Sequence, residues 1–391
     1  MELTKEQRDM LEGKRGNAVK KSMSILVALG EIYGAKRLIP VTSVQISGVS
    51  YDNLGDAGLE FLDEMAKDGK ARVKTTLNPA GMDMENWKAL GIDPGFAEKQ
   101  KLVIEAFEKM GVEATCTCTP YFIGNKPKFG DHIAWGESSA VTYANSVLGA
   151  KTNKEGGPSS IASALTGFTP EYGLHLDENR QAQFVVEVKA KVGNPMLFGA
   201  LGNVVGKLAK GRIPLITGIK KTTTEDLKAL SASIVTYGGA PLFHIKEITP
   251  NKTKIPKERI VVNQKDIDNA VKEMNDAEDV EFIFLGCPHC SMEEIKNIAK
   301  LLKGKKVRKE LWIGVARPIK RIADEVGYSK IIEESGAKFA CDTCHVVAPL
   351  KGRFTSIATN SAKGIFYGRG KNNFKTIFRT LEECIRLAVE E

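Results

Sequence analysis

Short apolar runs with strand character alternate with amphipathic helical runs along most of the chain. RLIPVTSVQIS, ARVKTTLNPAG and DVEFIFLG are typical of buried strands, and each is followed by a segment with apolar residues at helical spacing. Parallel strands joined by crossover helices produce this alternation. The sequence therefore predicts a layered α/β fold.

The length of 391 residues is enough for two or three compact units with buried cores. We expect one catalytic unit over residues 1–391, with a soft internal boundary near residues 249–256 and a C-terminal α/β lobe over about 257–391. Thr4 is the expected N-cap of the first helix, and Thr222 with Glu225 is a possible capping box.

The charge pattern argues against two classes of partner. The net charge is +8, but lysines and arginines are interspersed with acidic residues, which favours a solvated surface over an RNA-binding patch. A mild basic excess suits a small anionic substrate. No apolar run approaches the about 18 residues of a membrane span, and the charged N-terminus lacks a signal-peptide core. We therefore expect a cytoplasmic protein with no nucleic-acid or membrane partner.

Six of the seven cysteines form close pairs, which are Cys116/Cys118, Cys287/Cys290 and Cys341/Cys344. In a reducing compartment such clustering indicates metal or redox ligands rather than structural disulfides. Each pair lies at the end of a strand-like run, and open α/β sheets bind ligands beyond the carboxyl ends of their strands. Cys118, Cys287 and Cys341 are the members nearest those ends.

Three chemistries can use such cysteines. A structural zinc ion takes four ligands, so six thiols exceed what one ion needs. A thioredoxin-like redox site uses one CxxC pair and leaves the other two pairs unexplained. An iron–sulfur cluster held by three cysteines leaves one iron open as a Lewis acid for a substrate hydroxyl. The residues alone leave all three possibilities open.

Polar loops supply further candidates for substrate binding. The turn Gly48–Ser50 offers backbone N–H groups and a hydroxyl to an anion. Glu137 stands beside hydroxyls in WGESS and could accept a proton, and Lys363 in TNSAKG could contact a phosphate or carboxylate. His289 and His345 adjoin cysteines and could donate hydrogen bonds to metal ligands or their neighbours.

Taken together, ISGVSYDNLGDAG, KTTLNPAGMD, ATCTCTPY, WGESSAVTYANSVLGAKTNKEGGPSS, LGCPHCSMEE, FACDTCHVVAP and TNSAKG resemble the aconitase X family. The motifs span nearly the whole chain. The resemblance implies an aconitase-like multi-layer α/β catalytic unit and an iron–sulfur dehydratase, a hydro-lyase.

The same resemblance implies particular site residues. It places the cluster ligands at Cys118, Cys287 and Cys341, and the implied cofactor is a 4Fe–4S cluster with one open iron that can be isolated as a 3Fe–4S form. Glu137 and Ser138 are the implied catalytic residues. The implied substrate contacts are Gly48, Val49, Ser50, Asn78, Pro79, Glu137, Ser138 and Lys363.

The family has two forms. One is a single long chain that contains a small swivel domain and dehydrates cis-3-hydroxy-L-proline. The other, in archaea, is split into large and small subunits and converts (R)-mevalonate 5-phosphate to trans-anhydromevalonate 5-phosphate in isoprenoid biosynthesis. We expect the large subunit of the split form, lacking the swivel domain and paired with a small swivel-domain subunit in a heterodimer. The alternatives are a hydroxyproline dehydratase and a non-catalytic zinc- or RNA-binding protein.

Overall fold

The computed structural model describes residues 1–390. Within them lie three parallel sheets, which follow one another along the chain, and a small antiparallel pair of strands. None of the helices in the described part is both long and apolar enough to cross a membrane. The predicted α/β class is confirmed.

Residues 5–170 form the first part of the fold. Its helices and strands are α1 (Lys5–Leu11), α2 (Asn17–Ile32), β1 (Leu38–Pro40), β2 (Ser43–Ile46), α3 (Tyr51–Ala66), β3 (Lys74–Leu77), α4 (Pro94–Lys109), β4 (Ala134–Trp135), α5 (Ser138–Tyr143), α6 (Gly157–Thr166) and β5 (Phe168–Pro170). β2 lies between β3 and β4 in a parallel sheet, and β1 pairs antiparallel with β5. Thr4 caps α1 as predicted, in a capping box with Gln7.

Residues 184–273 form the second part. Its elements are β6 (Phe184–Val188), α7 (Pro195–Ala209), β7 (Pro214–Thr217), α8 (Thr224–Gly238), β8 (His244–Ile245), β9 (Arg259–Val262) and α9 (Gln264–Glu273). The sheet is parallel with strand order β8–β7–β6–β9. The predicted capping box is displaced by one residue: the cap of α8 is Thr223, and its partner is Asp226.

Residues 282–389 form the third part. Its elements are β10 (Phe282–Cys290), α10 (Met292–Leu302), β11 (Glu310–Val315), α11 (Arg317–Glu325), α12 (Tyr328–Glu334), β12 (Lys338–Cys341), β13 (Ser356–Thr359), α13 (Ala362–Asn372), β14 (Lys375–Phe378) and α14 (Leu381–Val389). The parallel sheet has the order β12–β11–β10–β13–β14, so the chain reverses direction across the sheet between β10 and β13. A crevice opens at the carboxyl ends of strands at such a point.

The two faces of β10 pack into different apolar clusters, because side chains alternate along a strand. Phe284 belongs to one cluster and Leu285 to the other. The register shifts after Leu285, and beyond the shift Cys287 joins the cluster of Phe284. Cys290 joins the cluster of Leu285, together with Cys341 of β12. The two members of one CxxC pair therefore face different parts of the core.

Sheet pairing puts the change from the second to the third sheet between β9 and β10. β9 lies beside β6, with Val186 opposite Ile260. Residues 257–262, which we expected in the C-terminal lobe, therefore complete the second sheet. The boundary near residues 249–256 stays a prediction, and those residues form an irregular segment that precedes β9.

Close packing of α7 against α8 depends on glycine. A Cβ at Gly238 would lie 2.0 Å from the carbonyl oxygen of Gly206, a contact that only backbone movement could relieve. We expect Gly238→Ala to lower the free energy of unfolding by about 2 kcal/mol. Gly370→Ala in α13 is the matched control, since a Cβ there meets nothing within 4 Å and should change stability by less than about 1 kcal/mol. Equal urea-unfolding curves for the two variants would contradict the expectation.

Candidate active site

The predicted site residues lie at or just after the carboxyl ends of strands in the first and third sheets. Gly48–Ser50 follow β2, Asn78 and Pro79 follow β3, and Glu137 and Ser138 follow β4. Cys287 lies near the end of β10, and Lys363 follows β13. Two sheets therefore direct their ligand-binding ends toward one region, as open α/β sheets do.

Two hydrogen bonds join the turns of the first sheet to the segment after β12. The hydroxyl of Ser50 donates to the carbonyl oxygen of Val347 over 3.1 Å. The backbone N–H of Ala80, just after Asn78 and Pro79, donates to the carbonyl oxygen of Asp342 over 2.8 Å. Residues 342–347 are thus held against both predicted substrate-binding turns.

Gly48 has a positive φ of 79°, and a Cβ there would meet nothing within 4 Å. Glycine is needed at this position for the backbone conformation rather than for space. The space beside the backbone of this turn is open, as an anion-binding turn requires.

The side-chain oxygen Oδ1 of Asn78, in the next turn, is buried without a hydrogen-bond partner. A buried acceptor without a partner is costly, so this oxygen is available to a donor on a bound molecule.

A buried ion pair joins the first part of the fold to the third. The Nζ of Lys363 lies 2.5 Å from Oε1 of Glu137, and the two residues are 8% and 5% exposed. The other oxygen of Glu137 accepts from the hydroxyl of Ser139 over 2.5 Å and from the backbone N–H of Ala140 over 2.6 Å. Glu137 is therefore also the N-cap of α5.

Charge and hydrogen bonding control the ionisation of this pair. Burial opposes the charged form of Glu137, but the Lys363 ammonium and the bonds from Ser139 and Ala140 together hold the pKa of the carboxyl below its ordinary value. Burial likewise opposes the charged form of Lys363, and the negative charge of Glu137 raises its pKa nonetheless. The free protein thus holds an anion and a cation in contact.

The hydroxyl that contacts both members of this ion pair is that of Ser139 rather than Ser138. Ser139 donates to Glu137 and also lies 3.2 Å from the Nζ of Lys363. Ser138 is the half-buried first residue of α5, so its side chain projects from the same turn without these contacts. The sequence GESSA offers two serines, and only the position of the helix cap distinguishes them.

The thiols of Cys118, Cys287 and Cys344 lie within electrostatic reach of one another and of Lys363. Burial is the main cause that raises the pKa of each thiol to about 12. Cys344 also raises the pKa of Cys118, Cys118 raises that of Cys287, and Cys287 raises that of Cys344. Lys363 lowers all three values, whereas the pKa of Cys290 is influenced by Lys228 and Cys118. Three separate segments of the chain thus each bring one thiol under the influence of the same ammonium.

Cys341 lies in a different environment. Its backbone N–H donates to Oδ2 of Asp83 over 2.9 Å, and Oδ1 of Asp83 accepts from Arg317 over 2.8 Å. Burial and then Asp83 raise the pKa of the Cys341 thiol, and Arg317 opposes this shift. Cys344, which was not among the ligands predicted from the sequence, lies in the same apolar cluster as Cys287.

The three thiols suit an iron–sulfur cluster chemically. All are free and buried. The backbone N–H of His289 donates to the sulfur of Cys118 over 3.2 Å. Hydrogen bonds of this kind surround cluster thiolates and help to set the reduction potential. Within residues 1–390, no three His, Cys, Asp or Glu side chains are close enough to hold a single metal ion. The cysteines of an iron–sulfur cluster can lie farther apart than the ligands of one ion, since each cysteine binds a different iron.

Two histidines adjoin the cysteines, as the sequence indicated. His289 is bonded through Nδ1 to the Thr117 hydroxyl and through Nε2 to the Thr343 carbonyl oxygen, each over 2.9 Å. Nε2 of His345 lies 3.2 Å from the carbonyl oxygen of Gly364. Burial lowers the pKa of both imidazoles to about 4, so both are neutral at pH 7.

Three family models match almost the whole described chain. The aconitase X first domain matches residues 1–178, the second domain matches residues 182–272 and the third domain matches residues 280–390. The chain belongs to the aconitase X family. The resemblance identified in the sequence is thereby confirmed.

Individual relatives agree with the family models. The phosphomevalonate dehydratase large subunit of Methanocaldococcus jannaschii is 47% identical, over 99% of this chain and 100% of that protein. The cis-3-hydroxy-L-proline dehydratase of Hypocrea jecorina is 34% identical, over all of this chain and 69% of its own length. The holo-form of aconitase X from Thermococcus kodakaraensis has a TM-score of 0.93 at 47% identity, covering 99% of this chain and 100% of that chain. The aconitase-like fold and the prediction of a hydro-lyase are confirmed, and the family implies an iron–sulfur cluster.

The ion pair gives a testable dependence of stability on pH. In the cluster-free chain, Lys363→Met leaves the Glu137 carboxylate buried without its cation, so we expect a loss of about 3–5 kcal/mol at pH 8. Without Lys363, burial raises the pKa of Glu137, and the carboxyl becomes neutral as the pH falls. The stability difference from the unaltered chain should therefore be smaller at pH 5 than at pH 8 in urea unfolding.

The double variant Lys363→Met/Glu137→Gln is the control, because it removes both charges and should recover part of the lost stability at pH 8. A Lys363→Met deficit that is the same at both pH values would show that Glu137 does not carry the effect.

Proposed function

We propose that this chain is the catalytic large subunit of an iron–sulfur dehydratase that removes water from (R)-mevalonate 5-phosphate to give trans-anhydromevalonate 5-phosphate. The observation that carries the proposal is the meeting of three buried thiols with the Glu137–Lys363 pair at the strand ends. The greater identity to the phosphomevalonate enzyme than to the hydroxyproline enzyme supports this substrate.

Cys118, Cys287 and Cys344 are the proposed cluster ligands. The family resemblance gave the third place to Cys341, whereas the positions of the side chains favour Cys344, because Cys341 faces Asp83 and the opposite cluster of the core. These three thiolates would hold a 4Fe–4S cluster with one iron left open, which would supply a Lewis acid for the substrate hydroxyl.

Lys363 and the Gly48–Ser50 turn are the proposed anion-binding groups. The substrate carries a carboxylate and a phosphate, and a buried ammonium favours such groups strongly where water is excluded. An anion that approaches Lys363 competes with Glu137 for the same ammonium. Substrate binding would thus weaken the ion pair that the free protein holds.

Glu137 is the proposed base, and its release from Lys363 would prepare it for that role. While it is paired, its low pKa makes it a weak proton acceptor. Once Lys363 is engaged by the substrate, burial is left as the main influence, and the pKa of Glu137 rises. Glu137 would then take a proton from the carbon next to the substrate carboxylate. The C–H electron pair would form the C=C bond as the C–O bond of the 3-hydroxyl breaks, and the hydroxyl would leave with that proton as water. Ser138 at the start of α5 would position the substrate. Asn78 would donate or accept through its side-chain amide at the same site.

A small swivel-domain subunit is the proposed partner. The support is that the Methanocaldococcus jannaschii relative, matched over its whole length, is named as a large subunit. Such a partner would cover the strand ends where the predicted substrate contacts lie, and would exclude water from the reacting groups.

The cysteine assignment predicts unequal effects within each pair. After anaerobic reconstitution with iron and sulfide, we expect Cys118→Ser, Cys287→Ser and Cys344→Ser to lose most of their bound iron and visible absorbance. Cys290→Ser and Cys341→Ser are the matched controls and should keep the cluster, because those thiols pack in a different apolar cluster from Cys287 and Cys344. Loss of the cluster in Cys341→Ser with retention in Cys344→Ser would reverse the assignment of the third ligand.

The substrate is tested with the reconstituted heterodimer. We expect the cluster-loaded chain with its small subunit to convert mevalonate 5-phosphate, and to prefer it over cis-3-hydroxy-L-proline in a competition that is followed by product analysis. Preference for cis-3-hydroxy-L-proline would instead identify the enzyme as a hydroxyproline dehydratase. A colourless protein that holds zinc under the same anaerobic conditions would exclude the dehydratase altogether.

A further inference from the structure

His289 contacts or belongs to all three segments that carry the proposed cysteine ligands Cys118, Cys287 and Cys344. It lies between Cys287 and Cys290 and is fully buried. Its backbone N–H donates to the sulfur of Cys118, and its ring nitrogens lie 2.9 Å from the hydroxyl of Thr117 and from the carbonyl oxygen of Thr343. Thr117 adjoins Cys118, and Thr343 adjoins Cys344. The His289 side chain thus links Thr117, next to Cys118, to Thr343, next to Cys344. It does so from the segment that carries Cys287.

The hydrogen bonds assign the tautomer of His289. A carbonyl oxygen can only accept, so Nε2 carries the proton and donates to Thr343. Nδ1 is then an acceptor, and the hydroxyl of Thr117 donates to it. The bridge therefore requires a donor and an acceptor at opposite ends of one rigid ring.

The backbone of His289 is held independently of its ring. The Nζ of Lys228, from α8, donates to the carbonyl oxygen of His289 over 3.0 Å. Lys228 is itself buried and forms an ion pair with Glu294, whose carboxylate accepts from the N–H of Ser291 at the start of α10. The position of the ring is thus fixed relative to a helix of the second part and a helix of the third.

We propose, on the basis of the iron–sulfur function proposed above, that His289 is a positioning residue that holds the Cys118, Cys287 and Cys344 segments in the arrangement that receives the cluster. The bonds described join residues 54 to 172 positions apart, so the chain alone does not set the spacing of the segments. When these bonds form before the cluster binds, the three segments are already ordered, and cluster binding does not have to supply the free energy of ordering them. Partners that orient metal ligands in this way typically account for about 10- to 100-fold in metal affinity.

The test compares variants of the full chain after anaerobic reconstitution with iron and sulfide. His289→Leu keeps most of the bulk and removes both ring bonds, and His289→Gln keeps one donor and one acceptor. His244→Leu is the matched control, since His244 is a buried histidine on β8 that bonds to the carbonyl oxygen of Arg180 instead. The readouts are iron and sulfide per chain, the rate of cluster loss to a chelator, and thermal unfolding of the cluster-free chain.

We expect His289→Leu to lose the cluster about 10- to 100-fold faster than the unaltered chain. His289→Gln should recover part of that difference, and His244→Leu should hold the cluster as the unaltered chain does. Loss that is equally fast in His244→Leu and His289→Leu would reduce His289 to a general contributor to stability, and unchanged retention in His289→Leu would overturn the proposal directly.

Two further arms keep the outcomes distinct. Thr117→Val removes only the hydroxyl that reaches Nδ1 and is nearly isosteric, so it serves if His289→Leu does not fold: faster cluster loss supports the bridge, and unchanged loss overturns it. The unaltered chain tests the proposed function itself. If it takes up no iron and sulfide, the dehydratase proposal fails, and the role of His289 fails with it.

Discussion

The buried ion pair between Glu137 and Lys363 is the interaction on which the arrangement of the site depends. It joins α5 of the first part to α13 of the third, 226 residues apart along the chain. Two buried charges are tolerated only when each compensates the other. The pair therefore holds the start of α5 against the start of α13, and it places a cation within electrostatic reach of three thiols.

The same cation bears on how the thiols would be loaded. Burial raises the pKa of Cys118, Cys287 and Cys344 to about 12, so these thiols are neutral at pH 7 before they bind metal. Ligands must lose their protons to bind metal. Lys363 lowers all three values and so favours the thiolates, and the N–H groups that face Cys118 and Cys344 act in the same direction. The surroundings of these thiols thus favour thiolates when metal binds, although burial keeps the thiols protonated beforehand.

The sequence predicts the site better than it predicts its internal geometry. Alternating strand and helix patterns are sufficient to place Gly48–Ser50, Glu137, Cys287 and Lys363 at strand ends, because parallel strands present their carboxyl ends to one side. Cys118 follows an irregular extended segment rather than the predicted strand, yet its position is held by the bond from Thr117 N–H to the carbonyl oxygen of Leu77 in β3.

The choices that fail are those decided by a single residue of register. Thr222 and Thr223 are equally good caps by residue type, and the selection of Thr223 frees Glu225 to accept from the hydroxyl of Ser291. Lys228 reads as a surface lysine in a helix, because nothing local reveals that its ammonium reaches the carbonyl oxygen of His289 and the carboxylate of Glu294. Contacts between distant segments determine such residues, and a single sequence does not display them.

The spacing of the cysteine pairs explains why they are paired at all. A structural zinc site or a redox dithiol brings both members of a CxxC motif to one point. Here Cys287 and Cys344 lie in one apolar cluster, whereas Cys290 and Cys341 lie in another. In each of these two pairs, three residues of separation carry the two thiols into different clusters, where a small, weakly polar side chain packs well. On the proposed assignment, each CxxC motif and the CTC segment would give one ligand. Three ligands is the number that would leave one iron of a four-iron cluster open to substrate.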